Sequence, residues 1–353
     1  MSKIKIGIIG VGSISDSHIG AYINNPDCEL CAFCDIDKKI LEEKSEKYNI
    51  KEIYTDYNEM LEKADIDAVS VCTWNSEHSP ATIAALNAKK HVLCEKPMSV
   101  DAESAKKMQG AAEKNGKLLQ IGFVRRHGND VAIIKDFIDT DYFGEIYYGK
   151  ATYIRRNGNP GGWFGDKSRS GGGPLIDLGV HVIDLMRYVT GNPKAVSVYG
   201  ATFTKLKDRN NLKTPKGYYS ASHTENDICD VEDLATAMIR FDNGFVLSVE
   251  ASFSLNTKKD QGKLELFGTK GGVKLEPDAE FYSEHNGYMT NTTLVAKTSL
   301  DFGVIFQNEI NHFIDCIKND TKCIAPAEDG VEMMKILDAI YESARTGHEV
   351  IIK

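Results

Sequence analysis

Over roughly the first 120 residues, short apolar runs alternate with amphipathic stretches. A chain with that rhythm has few solutions besides a parallel sheet joined by crossover helices. Strands are expected at Ile4 to Gly10, Leu30 to Asp35, Ile53 to Tyr54, Ala68 to Thr73, His91 to Cys94 and Leu118 to Phe123. Helical spacing fills the gaps at Asp16 to Asn24, Lys38 to Tyr48, Asn58 to Lys63, His78 to Lys89 and Asp101 to Asn115. Right-handed crossovers then give a doubly wound sheet.

Beyond about residue 125 the rhythm changes. A helix over Asp130 to Asp139 leads to a strand over Glu145 to Ile154 and a glycine-rich loop from Asn157 to Gly173. An apolar helical stretch, Leu175 to Val189, stops at Gly191 and Pro193. Strands follow at Val196 to Phe203, Leu234 to Phe241, Phe245 to Phe253, Gly262 to Phe267 and Gly272 to Leu275, with Asp242-Asn243-Gly244 as a hairpin turn. Lys205 to Asp227 and Glu284 to Asn291 read as surface loops, and helices return at Gln307 to Lys318 and Gly330 to Thr346. The expected architecture is α/β: residues 1–124 a doubly wound Rossmann domain, residues 125–353 an α+β domain with a large, mostly antiparallel open sheet. The terminal helix is free to pack back on the first domain.

The 353-residue length is long for a single core, and 42% hydrophobic with 26% charged residues suits a folded, soluble chain. A net charge of -9 argues against a nucleic-acid partner, which needs a basic face to displace counterions. No apolar run approaches a membrane span, and Met1-Ser2-Lys3 runs straight into a strand without signal-peptide anatomy, so the cytoplasm is the expected compartment. Of eight cysteines, Cys28, Cys31 and Cys34 have a metal-like spacing. Cys31 and Cys34 nevertheless lie in Glu29-Leu30-Cys31-Ala32-Phe33-Cys34-Asp35, a buried-strand pattern in which cysteine serves as a small hydrophobe.

Gly10-Val11-Gly12-Ser13-Ile14-Ser15 stands between a strand and a helix, where backbone N–H groups can approach a pyrophosphate. Ser15 replaces the third glycine of the fingerprint and is small enough for close helix packing. Asp35, 23 positions past Gly12 at the second strand end, can bond the adenosine ribose and repel a 2′-phosphate, which favours NAD. Asp37 and Lys38 leave NADP open, and a helix N-cap is the structural alternative for Asp35. Thr73 and Asn75 follow the fourth strand and are expected to line the same crevice, with Trp74 packing and His78 contacting cofactor or capping a helix.

Lys96, just past the fifth strand in Glu95-Lys96-Pro97, is aimed at the same crevice. An oxidised nicotinamide disfavours an ammonium beside it, which suits a lysine to acid-base work, and Glu95 can orient or balance that charge. Pro97 rigidifies the turn. In the second domain Asp177, His181 and Asp184 fall at i, i+4 and i+7 behind Gly171-Gly172-Gly173-Pro174, on one helical face. Histidine there can move a hydroxyl proton, with Asp177 fixing its tautomer or binding a substrate hydroxyl. The same pair can ligate zinc, but Asp184 is the one further ligand nearby, so no metal is expected; a buried helix with satisfied polar groups is the plainer alternative. Arg125, Arg126, Arg156, Asn157 and Trp163 are candidates for substrate contacts beside the cleft.

Together these residues resemble the glucose-fructose oxidoreductase, inositol dehydrogenase and rhizopine catabolism family, Gfo/Idh/MocA. The resemblance covers nearly the whole chain: Gly10 and Gly12, Asp35, Thr73 to His78, Glu95-Lys96-Pro97, Gly171 to Gly173 with Asp177 and His181, Val231-Glu232-Asp233-Leu234, and Tyr341 to Gly347. It departs at Trp74, where the family commonly has proline, and at Ser15. It implies NAD(P)-dependent hydride transfer from a secondary alcohol of a sugar, glycoside or cyclitol. Lys96 would be the acid-base residue, His181 its partner and Asp177 a substrate-binding or orienting group, in a homo-dimer or homo-tetramer built through the second sheet. Gly10, Gly12, Ser13, Ile14, Asp35, Thr73, Asn75, His78, Glu95 and Lys96 would hold the cofactor, and Arg126, Arg156, Trp163, Asp177 and His181 the substrate. The alternatives are a non-catalytic NAD- or sugar-sensing regulator of the same fold and an NAD-recycling glycosidase.

Overall fold

A computed structural model describes residues 2–206, 209, 212–213, 218–298 and 300–352. Chain contacts divide them into two units, Met1–Val124 with Phe302–Met334, and Arg125–Asp301 with Lys335–Lys353.

The first unit is built on six parallel strands: β1 (Ile4–Ile9), β2 (Cys28–Cys34), β3 (Glu52–Tyr54), β4 (Ala68–Val71), β5 (His91–Glu95) and β6 (Leu119–Gly122), in the order β3-β2-β1-β4-β5-β6. The order reverses between β1 and β4, the crevice where doubly wound sheets bind ligands beyond their strand ends. Helices α1 (Ser15–Ile23), α2 (Lys38–Tyr48), α3 (Tyr57–Lys63), α4 (Asn75–Asn87) and α5 (Ala102–Asn115) make the crossovers. Aspartates start three of them. Asp37, Asp56 and Asp101 accept first-turn N–H groups of α2, α3 and α5, so the N-cap of α2 is Asp37 rather than Asp35. Cys28 and Cys34 are buried in β2, and burial raises their thiols to about 11 and about 12, as expected of inert packing residues.

The second unit contains a nine-stranded open sheet. Its strands are β7 (Ile146–Ile154), β8 (Ala195–Phe203), β9 (Leu234–Phe241), β10 (Val246–Ser252), β11 (Gln261–Gly268), β12 (Gly271–Leu275), β13 (Ala279–His285), β14 (Tyr288–Thr293) and β15 (Val350–Ile351). They lie in the order β14-β13-β12-β11-β7-β10-β9-β8-β15, and every neighbouring pair is antiparallel except β7 with β10. Helices α6 (Asn129–Asp139), α7 (Lys167–Ser170) and α8 (Val180–Val189) belong to this unit.

The segment Glu284 to Asn291, expected as a loop, is the β13–β14 hairpin. Asn286 and Gly287, with φ of 52° and 81°, are both left-handed, as the tight primed turn requires. β14 is exposed along almost its whole length, so no apolar alternation marks it as a strand. The loop expected over Lys205 to Asp227 lies partly outside the described residues.

After the second sheet the chain returns to the first unit. Helix α9 (Phe302–Asn319) puts Ile310, Phe313 and Ile314, each at most 1% exposed, into one core cluster with Ile6, Ile8, Ile19 and Phe33. Burying each such side chain contributes about 1.5–3 kcal/mol. Helix α10 (Ala327–Thr346) begins in the first unit and ends in the second.

Candidate active site

The glycine turn after β1 owes its shape to two residues. Gly10 has φ 87°, and a Cβ there would sit 2.7 Å from the Cys72 main chain at the end of β4, so strand and turn pack at a distance only glycine allows. A Cβ on Gly12, by contrast, would meet nothing within 4 Å. The turn is therefore open on the side a pyrophosphate would approach. Ser15, fully buried, donates its hydroxyl to Gly12 O at 2.6 Å, so the missing third glycine is replaced by a hydrogen bond within the turn. Ser13 and Ile14 are exposed, and Ile14 offers no side-chain acceptor to the first turn of α1, whose N-terminal dipole favours an anion.

Asp35 is held from two sides: Oδ2 accepts Val11 N–H at 2.8 Å and Oδ1 accepts Asp37 N–H at 2.9 Å. Its carboxylate is thereby fixed against the glycine turn. These residues fit a dinucleotide: open backbone, a helix start, and an anchored acid at the next strand end.

Past β4, Thr73 and Trp74 are half-buried, while Asn75 opens α4 at 4% exposure. His78 is 1% exposed; its Nδ1 lies 2.6 Å from Pro97 O and its Nε2 3.1 Å from Thr73 O. Burial lowers its affinity for a proton, against the raising effect of the Pro97 bond. His78 thus ties the Thr73 loop to the lysine turn, with both ring nitrogens turned to main-chain carbonyls.

The lysine turn is anchored from behind. The Lys96–Pro97 bond is cis, and Lys96 is half-buried. Glu95, 5% exposed, accepts Lys96 N–H through Oε2 at 3.0 Å and His18 Nε2–H through Oε1 at 2.9 Å. His18 Nδ1 contacts Ser70 Oγ at 3.2 Å, and Tyr22 OH contacts the same oxygen at 2.8 Å. Burial alone would raise the Glu95 carboxyl, but the His18 hydrogen bond and the charges of His18, Lys96 and His78 hold it below the usual glutamate range. Glu309 from α9 is fully buried with neither carboxyl oxygen partnered, and burial, with the Glu95 charge adding, pushes it well above that range. Glu95 therefore points inward to brace the strand end. His18, Ser70, Tyr22 and Glu309 escaped the sequence reading because they converge from 25 to 214 positions away, His18 and Glu95 alone being 77 apart.

In the second unit the polar helix starts on a π turn, Leu175–Gly179, before α8. Glu232 shapes it: Oε2 accepts Gly173 N–H at 2.9 Å, and Oε1 accepts Leu175 N–H at 3.2 Å and Tyr341 O–H at 2.9 Å. A Cβ on Gly172 would fall 2.0 Å from the Tyr341 hydroxyl, and one on Gly173 2.4 Å from Glu232 O. The glycines thus let Tyr341 and Glu232 close on the turn. Asp177 and His181 are half-buried, on the turn and in α8.

Asp184, grouped with Asp177 and His181 by helical spacing, is instead spent on a buried ion pair. It is 1% exposed and receives Arg126 through Nε at 2.9 Å and Nη2 at 2.5 Å. Both of its oxygens are taken, and the third ligand of the zinc alternative goes with them. Arg126 is 3% exposed and stacks over Tyr188, so its guanidinium serves this ion pair. Arg126→Met is expected to cost about 3–5 kcal/mol of stability by stranding the Asp184 charge, with substrate KM unchanged. Urea denaturation reads the loss, and adding Asp184→Leu should restore most of it; a raised KM with little loss of stability would contradict this role.

Arg125 pairs with Asp130 at 3.0 Å. Arg156 is exposed, with N–H on Asp260 Oδ1 at 2.7 Å and a guanidinium bond to Lys258 O at 3.3 Å. Asn157 has a buried Oδ1 with no partner, and Trp163 stacks on Phe164 with centroids 3.9 Å apart.

Two family models match the chain: the oxidoreductase family with NAD-binding Rossmann fold over residues 4–123, and the C-terminal alpha/beta domain of the same family over residues 135–352. D-glucoside 3-dehydrogenase of Escherichia coli (strain K12) is 34% identical over 352 residues, 99% of this chain and 97% of that protein. The chain belongs to the Gfo/Idh/MocA oxidoreductase family. As a Gfo/Idh/MocA member it is also 29% identical over 270 residues to myo-inositol 2-dehydrogenase of Thermotoga maritima, 76% of this chain and 74% of that one. A solved levoglucosan dehydrogenase in complex with NADH and L-sorbose matches the fold with TM-score 0.87 and 25% identity, covering 100% of both chains. Within the family the chain is a nicotinamide-dependent oxidoreductase, and its relatives include dehydrogenases of sugars and cyclitols.

Proposed function

We propose that the chain oxidises a secondary hydroxyl of a sugar, glycoside or inositol-like cyclitol, with Lys96 exchanging the hydroxyl proton. NAD, when bound, accepts the hydride from the carbinol carbon. The observation that carries the reading is the Glu95-braced Lys96–Pro97 turn at the end of β5, in a sheet whose β1 turn is open for a dinucleotide. A lysine whose main chain is fixed in the turn suits proton transfer to a positioned hydroxyl. Gly10, Gly12, Ser13 and Ile14 cradle the pyrophosphate, and Asp35 holds the adenosine ribose. Thr73 and Asn75 line the crevice, while His78 and Glu95 position the residues around them. Asp177 and His181 bind and orient the substrate hydroxyls, with Arg156 and Trp163 as further contacts. The full-length likeness to a glucoside 3-dehydrogenase supports a glycoside as the first substrate to try.

A panel of glucosides, free hexoses and inositols, each with NAD⁺ and NADP⁺, tests the reading by NADH or NADPH formation. Turnover with at least one polyol and NAD⁺ is expected; no turnover across the panel, despite tight NAD binding, would overturn it.

A homo-dimer or homo-tetramer through the second sheet is supported by its exposed apolar face. Tyr199 and Met238 are directly paired across β8 and β9, at 55% and 48% exposure, and Phe203 lies on the same face at 41%. Light scattering should therefore give a multiple of 39.1 kDa, and a monomer would refute it. A cytoplasmic compartment belongs to the same proposal, and cell fractionation checks it.

A further inference from the structure

Helix α9 and the segment after it hold a group of side chains with no part in the dinucleotide site. Among the described residues, His312, Cys316 and Cys323 bring one donor atom each to within 4.8 Å of one another. His312 and Cys316 stand at i and i+4 on α9, with Nε2 and Sγ 3.4 Å apart. Cys323 comes from the connection to α10. That connection is strapped along the edge of the first sheet: Ile121 N–H of β6 donates to Ala325 O at 2.9 Å, Gln120 bridges Pro326, and Cys323 Sγ donates to Gln120 Oε1 at 3.6 Å. The three donors therefore sit on two rigid pieces of chain that are already held together.

We propose that His312, Cys316 and Cys323 form a binding site for a thiophilic divalent cation, Zn²⁺ above all, which clips the α9–α10 connection onto α9. A tetrahedral zinc with bonds of about 2.3 Å to sulfur and about 2.0 Å to nitrogen spaces its donors roughly 3.5–3.8 Å apart. The His312–Cys316 pair, at 3.4 Å, stands just below that spacing, and the half-buried Cys323 closes the third corner by a side-chain rotation. Two thiolates and an imidazole are a zinc donor set, with the fourth position left to water or to Gln120 Oε1. The metal takes cysteine as the thiolate. The ion replaces Ile324 N–H, which donates to His312 Nε2 at 3.0 Å in its absence. Binding releases the remaining thiol protons, so affinity rises with pH.

Cobalt reports the site directly. Full-length protein is reduced, stripped with chelator and titrated with Co²⁺. One equivalent should produce a thiolate-to-cobalt charge-transfer band and the strong visible bands of a tetrahedral ion, both erased by Zn²⁺. Cys323→Ser, on the half-buried connection, and Cys316→Ser should each weaken cobalt affinity by at least about tenfold and remove the charge-transfer band. Zinc should raise the melting temperature of the wild type and not of the variants. NAD binding and circular dichroism certify that each protein is folded, and Cys323→Ser suffices if Cys316→Ser is not. Absence of the cobalt band in folded, reduced wild type, or a band unchanged in the folded variants, overturns the proposal. So does a Cys316–Cys323 disulfide found by peptide mass in protein purified without reductant.

Discussion

Lys96→Ala is expected to lower kcat by about 10²- to 10⁴-fold, the range a positioned acid-base group contributes, while the Kd for NADH moves little. The structure favours such a clean split. The brace on the turn is made by the main-chain N–H of Lys96 to Glu95, and by Glu95 to His18, so removing the side chain beyond Cβ leaves the anchor untouched. The Gly10–Gly12 turn and Asp35 depend on Cys34, Cys72, Val11 and Asp37, none of which the substitution alters. Lys96→Arg should be nearly as impaired, because a guanidinium keeps the charge but does not give up its proton near neutral pH. Stopped-flow titration of NADH and steady-state turnover separate the two quantities. A variant within tenfold of wild-type kcat would remove Lys96 from the chemistry, and loss of NADH binding would assign it to the cofactor instead.

Asp35→Ser should shift the preference between cofactors by a comparable factor. A carboxylate bonded to a ribose hydroxyl contributes about 1.5–3 kcal/mol, so kcat/KM with NAD⁺ is expected to fall roughly 10- to 100-fold. With NADP⁺ it should rise, because the charge facing a 2′-phosphate is gone. Asp35 also accepts the N–H groups of Val11 and Asp37, so part of the loss with NAD⁺ comes from a loosened glycine turn. Asp35→Asn separates the two contributions in part: its one amide oxygen keeps one of the two backbone N–H bonds, the amide NH2 cannot accept the other, and the charge is gone. It should retain more NAD⁺ activity than Asp35→Ser while gaining with NADP⁺. An unchanged ratio of the two cofactors in both variants would free Asp35 from any role in selecting them.

The first sheet was legible because a parallel sheet buried on both faces writes itself as near-continuous apolar runs. β1 and β4 are such runs, and each is followed by a helix with its own period. The places of the glycine turn, Asp35 and Lys96 in the sheet were legible for the same reason, since each stands at a strand end. What local pattern does not encode is the partner of a buried charge. Asp184 reads as one more acid on a polar face until Arg126, 58 positions earlier, is seen to hold both its oxygens. Glu95 likewise reads as a partner for the lysine alone, and nothing in the sequence hints that His18, 77 residues away, bonds it too. The π turn at Leu175–Gly179 is invisible to a search for period 3.6, being imposed by Glu232 from outside the segment. The destination of α9 is equally non-local, since its apolar stripe would suit either sheet and only three-dimensional packing sends it to β1 and β2.

The most direct test of the account is to measure NADH and oxidised sugar together, with NAD⁺ and the glucoside or cyclitol that the panel identifies. Absorbance of reduced nicotinamide and a carbonyl-specific assay of the product should rise in a one-to-one ratio in the wild type and fall together in Lys96→Ala. Cleavage of a glycoside without net NADH, or tight binding of both ligands with no product, would contradict the assignment.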